Sequence, residues 1–407
     1  MSITGITAEY NPFHNGHKLH INEARRLSKT ENSFVIMSGN FTQRGEPAIF
    51  DKYFRTMCAL KNGADIVAEL PCVFASSSAE FFASAAVKMF DDSGICSHIA
   101  FGAETEDISL LKKNAQILSD ENSFFKESIS QYLSEGLSFP AAREKALEKC
   151  GADISALSSP NNILALEYIK ALINLKSEIS PVAVKRVGND YNQKAFSGAL
   201  SSATAIREKI FSGSIEDISA SVPSETYLGI KEKIKNGHMP LSFNSLSDIL
   251  NYRLRMLSPE QLTQYHGISE GLENRIIASL KDNYSAYDIV SAVKSKRYTF
   301  SRLQRAMLHI CLDIKETDLM KYKNNGYSPY IRVLGFRKDK KSLLKELTEK
   351  SRVPVITNIK NAHKQLDEYG MEILNKEITA DNIYAILDKN KKNTALNQDF
   401  TTPLVIV

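Results

Sequence analysis

The apolar positions of this chain alternate between two periods over its first half. Ile3 to Ala8 is a short, partly β-branched run that suits a buried strand. Asn11-Pro12 breaks it, because proline lacks an N–H and restricts the residue before it. From His17 the positions Leu19, Ile21, Ala24 and Leu27 recur at helical spacing. Phe34 to Met37 repeats the strand pattern, Asp51 to Asn62 the helical one, and Ala64 to Leu70 the strand pattern again, stopped by Pro71. Ser76 to Phe90 predicts a helix rich in small residues, and His98 to Phe101 a fourth strand ending at Gly102. Two or three helices over 107–150, an apolar helix from Ile163 to Leu175 and a fifth strand from Pro181 to Val187 follow. Five strands alternating with helices predict an α/β fold with a parallel sheet, whose ligands bind at the carboxyl ends of the strands.

Beyond Pro223 the strand signals thin out. Leu241–Met256, Ser269–Asn283, Tyr287–Ser295, Ser301–Ile314 and Leu343–Glu349 have helical periodicity, while Tyr330–Gly335 and Val353–Thr357 read as two short strands in a small terminal α/β piece. The expected division is therefore 1–225, α/β with a helical insertion at 107–150, and 226–407, mainly helical. Charge follows the same division. Residues 1–225 carry 22 Lys+Arg against 27 Asp+Glu, a net −5, and residues 226–407 carry 29 against 20, a net +9. A basic half suits a polyanionic partner, nucleic acid first, although a solvated lysine-rich helix surface gives the same composition. Its densest cluster is Lys294–Thr299, where Lys296 and Arg297 could grip phosphates with Tyr298 to stack on a base, followed by Arg302 and Arg305 on one helical face.

With 407 residues and 43% hydrophobic composition, the chain can bury more than one core. It has no apolar run long enough to span a membrane and no apolar segment after Met1, which predicts a soluble cytoplasmic protein. Five cysteines without a C-x-x-C pair fit neither a disulfide framework nor a zinc ribbon.

Candidate chemistry gathers at strand ends. His14-Asn15-Gly16-His17 lies between the first strand and the first helix. A helix N-terminus there attracts anions, and two imidazoles three residues apart can reach one phosphate, so the stretch reads as a nucleotide phosphate site. Two histidines without a nearby cysteine or carboxylate pair are a poor zinc set, and no metal ligands are legible. In Ser201-Ser202-Ala203-Thr204-Ala205-Ile206-Arg207, a serine can cap a helix whose first turns expose N–H groups, the Thr204 hydroxyl and the Arg207 guanidinium, a second anion-binding helix start.

Together these motifs resemble the HxGH nucleotidylyltransferase-like superfamily, in which an HxGH loop and a later S-[ST]-x-x-x-I-R element bind the ATP phosphates. More narrowly, Glu9–His17, Met37-Ser38-Gly39, Gln43–Ala48, Glu69-Leu70-Pro71, Pro160–Leu164 and Lys296–Thr299 are similar to the bacterial tRNA(Met) cytidine acetate ligases, along nearly the whole chain to about Gly335. That resemblance implies a Rossmann-like catalytic domain over 1–225 and a basic, mainly helical tRNA-binding domain over 226–407. It implies an ATP-dependent ligase that activates acetate to acetyl-adenylate and transfers the acetyl group to N4 of the wobble cytidine of elongator tRNA(Met), releasing AMP and pyrophosphate. His14, His17, Thr204 and Arg207 would act at the phosphates. Thr7, Ala8, Glu9, Tyr10, Asn11, Pro12, Phe13, His14, Asn15, Gly16, His17, Lys18, Leu19 and His20 would form the ATP loop, with Gly102, Asn162 and Arg186 as further contacts. Lys296, Arg297, Arg302 and Arg305 are the candidate tRNA contacts, and Mg²⁺ at the phosphates and the oligomeric state are not legible. A small-molecule nucleotidylyltransferase and a non-catalytic RNA-binding protein with a nucleotide fold are the alternatives. The first needs no basic half and the second needs no intact His14, His17, Thr204 and Arg207.

Overall fold

The computed structural model describes residues 2–119, 123–137, 139–154, 159–185, 198–390 and 394–407. Five strands run as expected: β1 (Ile3–Ala8), β2 (Asn32–Ser38), β3 (Ile66–Leu70), β4 (Cys96–Ala103) and β5 (Ser180–Lys185). They lie in the order β5-β4-β1-β2-β3, all parallel. Alternation along each strand divides its side chains between two cores. Ile3, Phe34, Ile36, Ile66, Ala68, Ile99 and Phe101 face one, and Ile6, Val35, Met37, Val67 and Ala100 the other. Burial on both faces is why these runs read as continuously apolar.

The helices between strands follow the sequence periods closely. Asn15–Ser28 follows β1 and buries Ile21, Ala24 and Ser28, while Leu19 and Leu27, expected on the same stripe, are exposed. Lys52–Lys61 is capped by Asp51, whose carboxylate accepts from Phe54 N at 2.8 Å. Over 107–150, where a helical insertion is expected, the described residues form three helices, Ile108–Ser119, Ser123–Ser134 and Phe139–Lys149.

The two terminal strands do not make a sheet of their own. β6 (Ile331–Phe336) pairs antiparallel with the open edge of β3, and the short strands β7 (Val355–Ile356) and β8 (Val405–Ile406) pair with β6. Every residue of β6 is buried, so this apolar strand needs a partner on both sides, and the edge of β3 supplies one. Charge locks the junction. Lys52, fully buried, places its ammonium 2.8 Å from Glu69 Oε1 and 3.0 Å from Asp399 and also contacts Asp381, and Arg332 lies 2.8 Å from both Glu69 and Asp399. Burial pulls the Lys52 pKa down, but the three carboxylates outweigh it and hold the amine above its usual value.

Glu377 and Asp381 of this cluster come from Glu368–Ile386, a 19-residue helix that the sequence periods did not predict. Its Tyr384 donates to Ala48 O at 2.8 Å, and its Glu377 accepts from Cys72 N at 2.5 Å. The C-terminal helix thus packs under the loops that follow β2 and β3.

Candidate active site

Of the residues proposed for nucleotide chemistry, the structure brings His14, His17, Thr204 and Arg207 together beyond the carboxyl end of β1. His14 is the N-cap of Asn15–Ser28, in extended conformation, and its carbonyl accepts from His17 N at 2.9 Å and Lys18 N at 3.2 Å. His17 lies one helical turn on, and its Nδ1 accepts from His14 N at 3.2 Å. With Nδ1 engaged as acceptor, the neutral ring of His17 carries its proton on Nε2, a donor for a ligand oxygen. The two imidazoles stack with centroids 3.7 Å apart, and Tyr10 and Phe13 wall the His17 ring at 4.9 and 5.6 Å. Gly16 is required by this packing, because a Cβ there would lie 2.8 Å from Cε1 of His14.

The second candidate anion-binding helix start comes to the same place. Ser202 caps Ala203–Phe211, accepting from Ala205 N at 3.2 Å. Arg207 then donates from Nη1 to Asn11 O at 2.9 Å, lies 3.4 Å from the Thr204 hydroxyl and 3.7 Å from Glu46. Asn15 closes the join. Its side-chain amide donates to Ala199 O at 3.1 Å and Ala220 O at 2.8 Å, and its backbone N–H to Ser221 O at 3.0 Å. Two residues nearly two hundred positions apart are therefore fixed against each other by short polar contacts rather than by a shared element.

The edge is completed by neighbouring loops. Thr7 and Ala8 end β1, and two residues beyond the Ile6↔Ala100 pair of the adjacent strand lies Gly102. Asn162, in the first turn of Pro160–Leu175, accepts from Glu104 N at 2.9 Å, and its own N–H donates to the Glu104 carboxylate at 3.1 Å. Glu9 accepts from Gln43 N at 2.8 Å, joining the β1 end to the β2 loop. Burial pushes its carboxyl up, against the pull of that N–H and of Arg44 and Arg207. Lys18 and Leu19 are exposed and His20 is half-buried. Arg186 lies outside the described residues.

Arg55 was not singled out from the sequence, yet it is fully buried and serves this edge. Its guanidinium donates to Glu9 O at 2.6 Å, Ser38 O at 3.1 Å and Phe50 O at 2.9 Å, and to Gly39 O, pinning the ends of β1 and β2 together. In the sequence it stands with Lys52 and Thr56 in a helix whose other buried positions are apolar.

A model of the HIGH nucleotidyl transferase family matches residues 1–399. The chain belongs to that family. Among curated relatives, the tRNA(Met) cytidine acetate ligase of Halothermothrix orenii is 37% identical over 420 residues, covering 100% of this chain and 99% of that protein. The ligase of the same name from Thermoanaerobacter sp. (strain X514) is 40% identical over 409 residues, with both chains fully covered. Two solved structures of Thermotoga maritima TmcAL superpose over the whole of both chains. The apo form has a TM-score of 0.95 at 33% identity, and the form bound with alpha-thio ATP has 0.93 at 32%.

The histidine pair sits at a strand-to-helix turn; the candidate RNA contacts lie elsewhere, on the helical part. Lys296 and Arg297 are exposed, and Arg297 is paired with Glu270. Tyr298 cannot stack on a base: it is 4% exposed, donates to Ser269 O at 2.8 Å and has Arg302 over its ring at 4.9 Å. Its period within the basic cluster looked superficial because the sequence does not show the Ser269 loop that covers it. Arg302 also donates to Gly267 O at 3.3 Å. Arg305 lies on Phe300–Leu312, whose backbone presses on the β2 loop. Glu69, Glu377 and Asp381 bring carboxylate oxygens within 4.8 Å of one another, but Lys52 and Arg332 already occupy that cluster as counter-charges. No helix among the described residues is long and apolar enough to cross a membrane.

Proposed function

We propose that this protein is an ATP-dependent ligase that forms acetyl-adenylate and transfers the acetyl group to N4 of the wobble cytidine of elongator tRNA(Met). N4-acetylcytidine, AMP and pyrophosphate are the products. The observation that carries this reading is the join between the two anion-binding helix starts, with Arg207 bonded to Asn11 beside His14 and His17, in a chain similar over its whole length to proteins named for that reaction.

Acetate oxygen attacks the α-phosphorus of ATP, the bond to the β-phosphate oxygen breaks, and pyrophosphate leaves. Charge grows on phosphoryl oxygens, which need fixed donors more than a general base. His17 Nε2–H and the His14 imidazole stabilise the α-phosphoryl oxygens, while Thr204 and Arg207 hold the β- and γ-phosphates. The stretch Thr7 to His20, with Gly102, Asn162 and Arg186, binds the rest of the nucleotide. Attack of cytidine N4 on the acetyl carbonyl then expels AMP. In this reading residues 1–225 carry the adenylation chemistry, with 107–150 as an insertion, and 226–407 carry the tRNA contacts, Lys296, Arg297, Arg302 and Arg305 among them. The setting is the bacterial cytoplasm, which suits five free cysteines.

The deciding experiment incubates the purified protein with ATP, labelled acetate and total bacterial tRNA and analyses the nucleosides, with acetyl-CoA as control donor. Acetylcytidine that requires both ATP and acetate is expected. Pyrophosphate release onto some other acceptor, without acetylcytidine, would overturn the reading in favour of a small-molecule nucleotidylyltransferase.

A further inference from the structure

Among the candidate basic residues, Arg305 stands apart in what surrounds it. It is part-buried on Phe300–Leu312 and, among the described residues, pairs with no carboxylate. Its charged neighbour is Arg302, three residues earlier, and one turn later stands His309, fully buried and donating from Nε2 to Ser76 O at 3.1 Å. Burial lowers His309 to about 3, so the ring is neutral and adds no second positive charge beside Arg305. Burial likewise lowers Arg305 to about 10, which leaves it cationic. A desolvated guanidinium without an anion is unfavourable, and buried charges are ordinarily paired.

The position of Arg305 is as specific as its lack of a partner. Gly45, at φ +82°, lies so close to the helix that a Cβ there would stand 2.5 Å from Arg305 N. Gly45 belongs to the turn Thr42–Glu46, closed by Gly45 N to Thr42 O at 2.9 Å and Thr42 N to Glu46 O at 3.0 Å. On its other side that turn carries Gln43, bonded to Glu9, and Glu46, paired with Arg207. The Gln43 side chain also donates to Ser77 O at 3.2 Å, next to the serine that His309 holds. One tight turn thus separates the nucleotide-phosphate arginine, Arg207, from an uncompensated arginine on the basic helical half.

We propose that Arg305 receives a backbone phosphate of the RNA substrate at the mouth of the nucleotide cleft, bringing the target nucleotide to the edge where the adenylate forms. This rests on the tRNA reading above. A phosphodiester supplies the missing anion, and the guanidinium fork matches its oxygens. ATP is the less suitable source, since its phosphates are claimed on the Arg207 side of the turn.

The test compares wild type with Arg305→Met, which removes the guanidinium charge and keeps an unbranched apolar stem, and Arg305→Lys, which keeps the charge. The dissociation constant for tRNA(Met) is measured by filter binding over a range of salt, and the urea-unfolding midpoint of each protein is measured in parallel. For Arg305→Met we expect tRNA binding weakened about ten- to a hundredfold, a plot of log affinity against log salt shallower by about one, and a midpoint no lower than wild type, with partial recovery in Arg305→Lys. An unchanged affinity and salt slope would overturn the proposal. So would a weakened affinity for ATP in place of tRNA, which would assign Arg305 to the triphosphate, or a lowered midpoint with tRNA binding intact, which would make it structural. Because binding is read without turnover, failure of acetylcytidine formation in wild type refutes the functional reading separately.

Discussion

Replacing Glu377 by glutamine should make the protein more stable in alkaline solution and remove a proton from its pH dependence of folding. Glu377 Oε2 accepts from Cys72 N at 2.5 Å, and its other oxygen faces Glu69, the two Oε1 atoms lying 2.8 and 2.6 Å from where a Cβ on Gly39 would be. Glu69 is paired with Lys52 and Arg332, and the proton between the two facing carboxyl groups belongs to Glu377. Burial, reinforced by Glu69, pushes Glu377 up to about 8 from an ordinary value of 4.5.

The sign follows from proton counting. Between about pH 4.5 and 8 the native state holds this proton and the unfolded chain has lost it, so native binds more protons and stability falls as pH rises. At about 1.4 kcal/mol per unit, the total loss well above pH 8 is on the order of 5 kcal/mol. Glutamine keeps the carbonyl that Cys72 needs and offers Glu69 an N–H donor at every pH. The variant should therefore match wild type near pH 5 and exceed it by roughly 2–4 kcal/mol at pH 9. Urea-unfolding midpoints followed by circular dichroism from pH 5 to 9 measure this directly. Equal slopes for the two proteins, or a variant less stable at pH 9, would refute the shared proton.

Three other expectations follow from the site and the join. His14→Ala or His17→Ala should slow ATP–pyrophosphate exchange by about 10²–10³-fold, the loss of one preorganised donor, while filter binding shows tRNA affinity retained; loss of tRNA affinity would remove these residues from the ATP site. Lys296→Ala combined with Arg297→Ala should flatten the salt dependence of tRNA binding by about one phosphate contact rather than two, since Arg297 is already paired with Glu270; an unchanged slope makes the pair a solvated face. A fragment ending at residue 225 leaves Glu69 and Lys52 buried without Arg332 or Asp399 and exposes the β3 edge, so it should fail to give a cooperative unfolding transition, and a well-folded fragment would show that the cluster does not lock the sheet.

The two helix starts that carry the candidate residues were legible in the sequence because their signals are local. A strand, a Pro-ended turn, His14, Gly16 and His17 lie within one loop, and Ser202 with Arg207 within one helix start, so period and capping rules reach them. What joins them is not local. The Asn15 amide meets Ala199 and Ala220, and Arg207 meets Asn11, through contacts that no window of sequence contains. Tyr298 shows the opposite error: placed among basic residues it read as a stacking surface, and the Ser269 loop buries it. The Glu368–Ile386 helix escaped for another reason, that Glu377 and Asp381 interrupt its apolar stripe with charges that are themselves buried.

Those buried charges explain why the two ends of the chain form one sheet. β6 brings Arg332 to the edge of β3 opposite Glu69, and Lys52 completes the set from the helix after the β2 loop. An apolar β6 alone could slip along β3, because apolar contacts are non-directional; an arginine that must meet Glu69 and Asp399 at 2.8 Å permits one register. Asn40, in the loop that starts from β2, donates to Asp381 at 2.7 Å and accepts from Lys52 N at 2.8 Å, so the same cluster that fixes register also fixes the base of the loop carrying Gln43, Gly45 and Glu46. That loop touches Glu9, Arg207 and Arg305 in turn. The terminal helix therefore bears on the candidate nucleotide edge through the β2 loop, and that edge is shaped by residues from both halves of the chain.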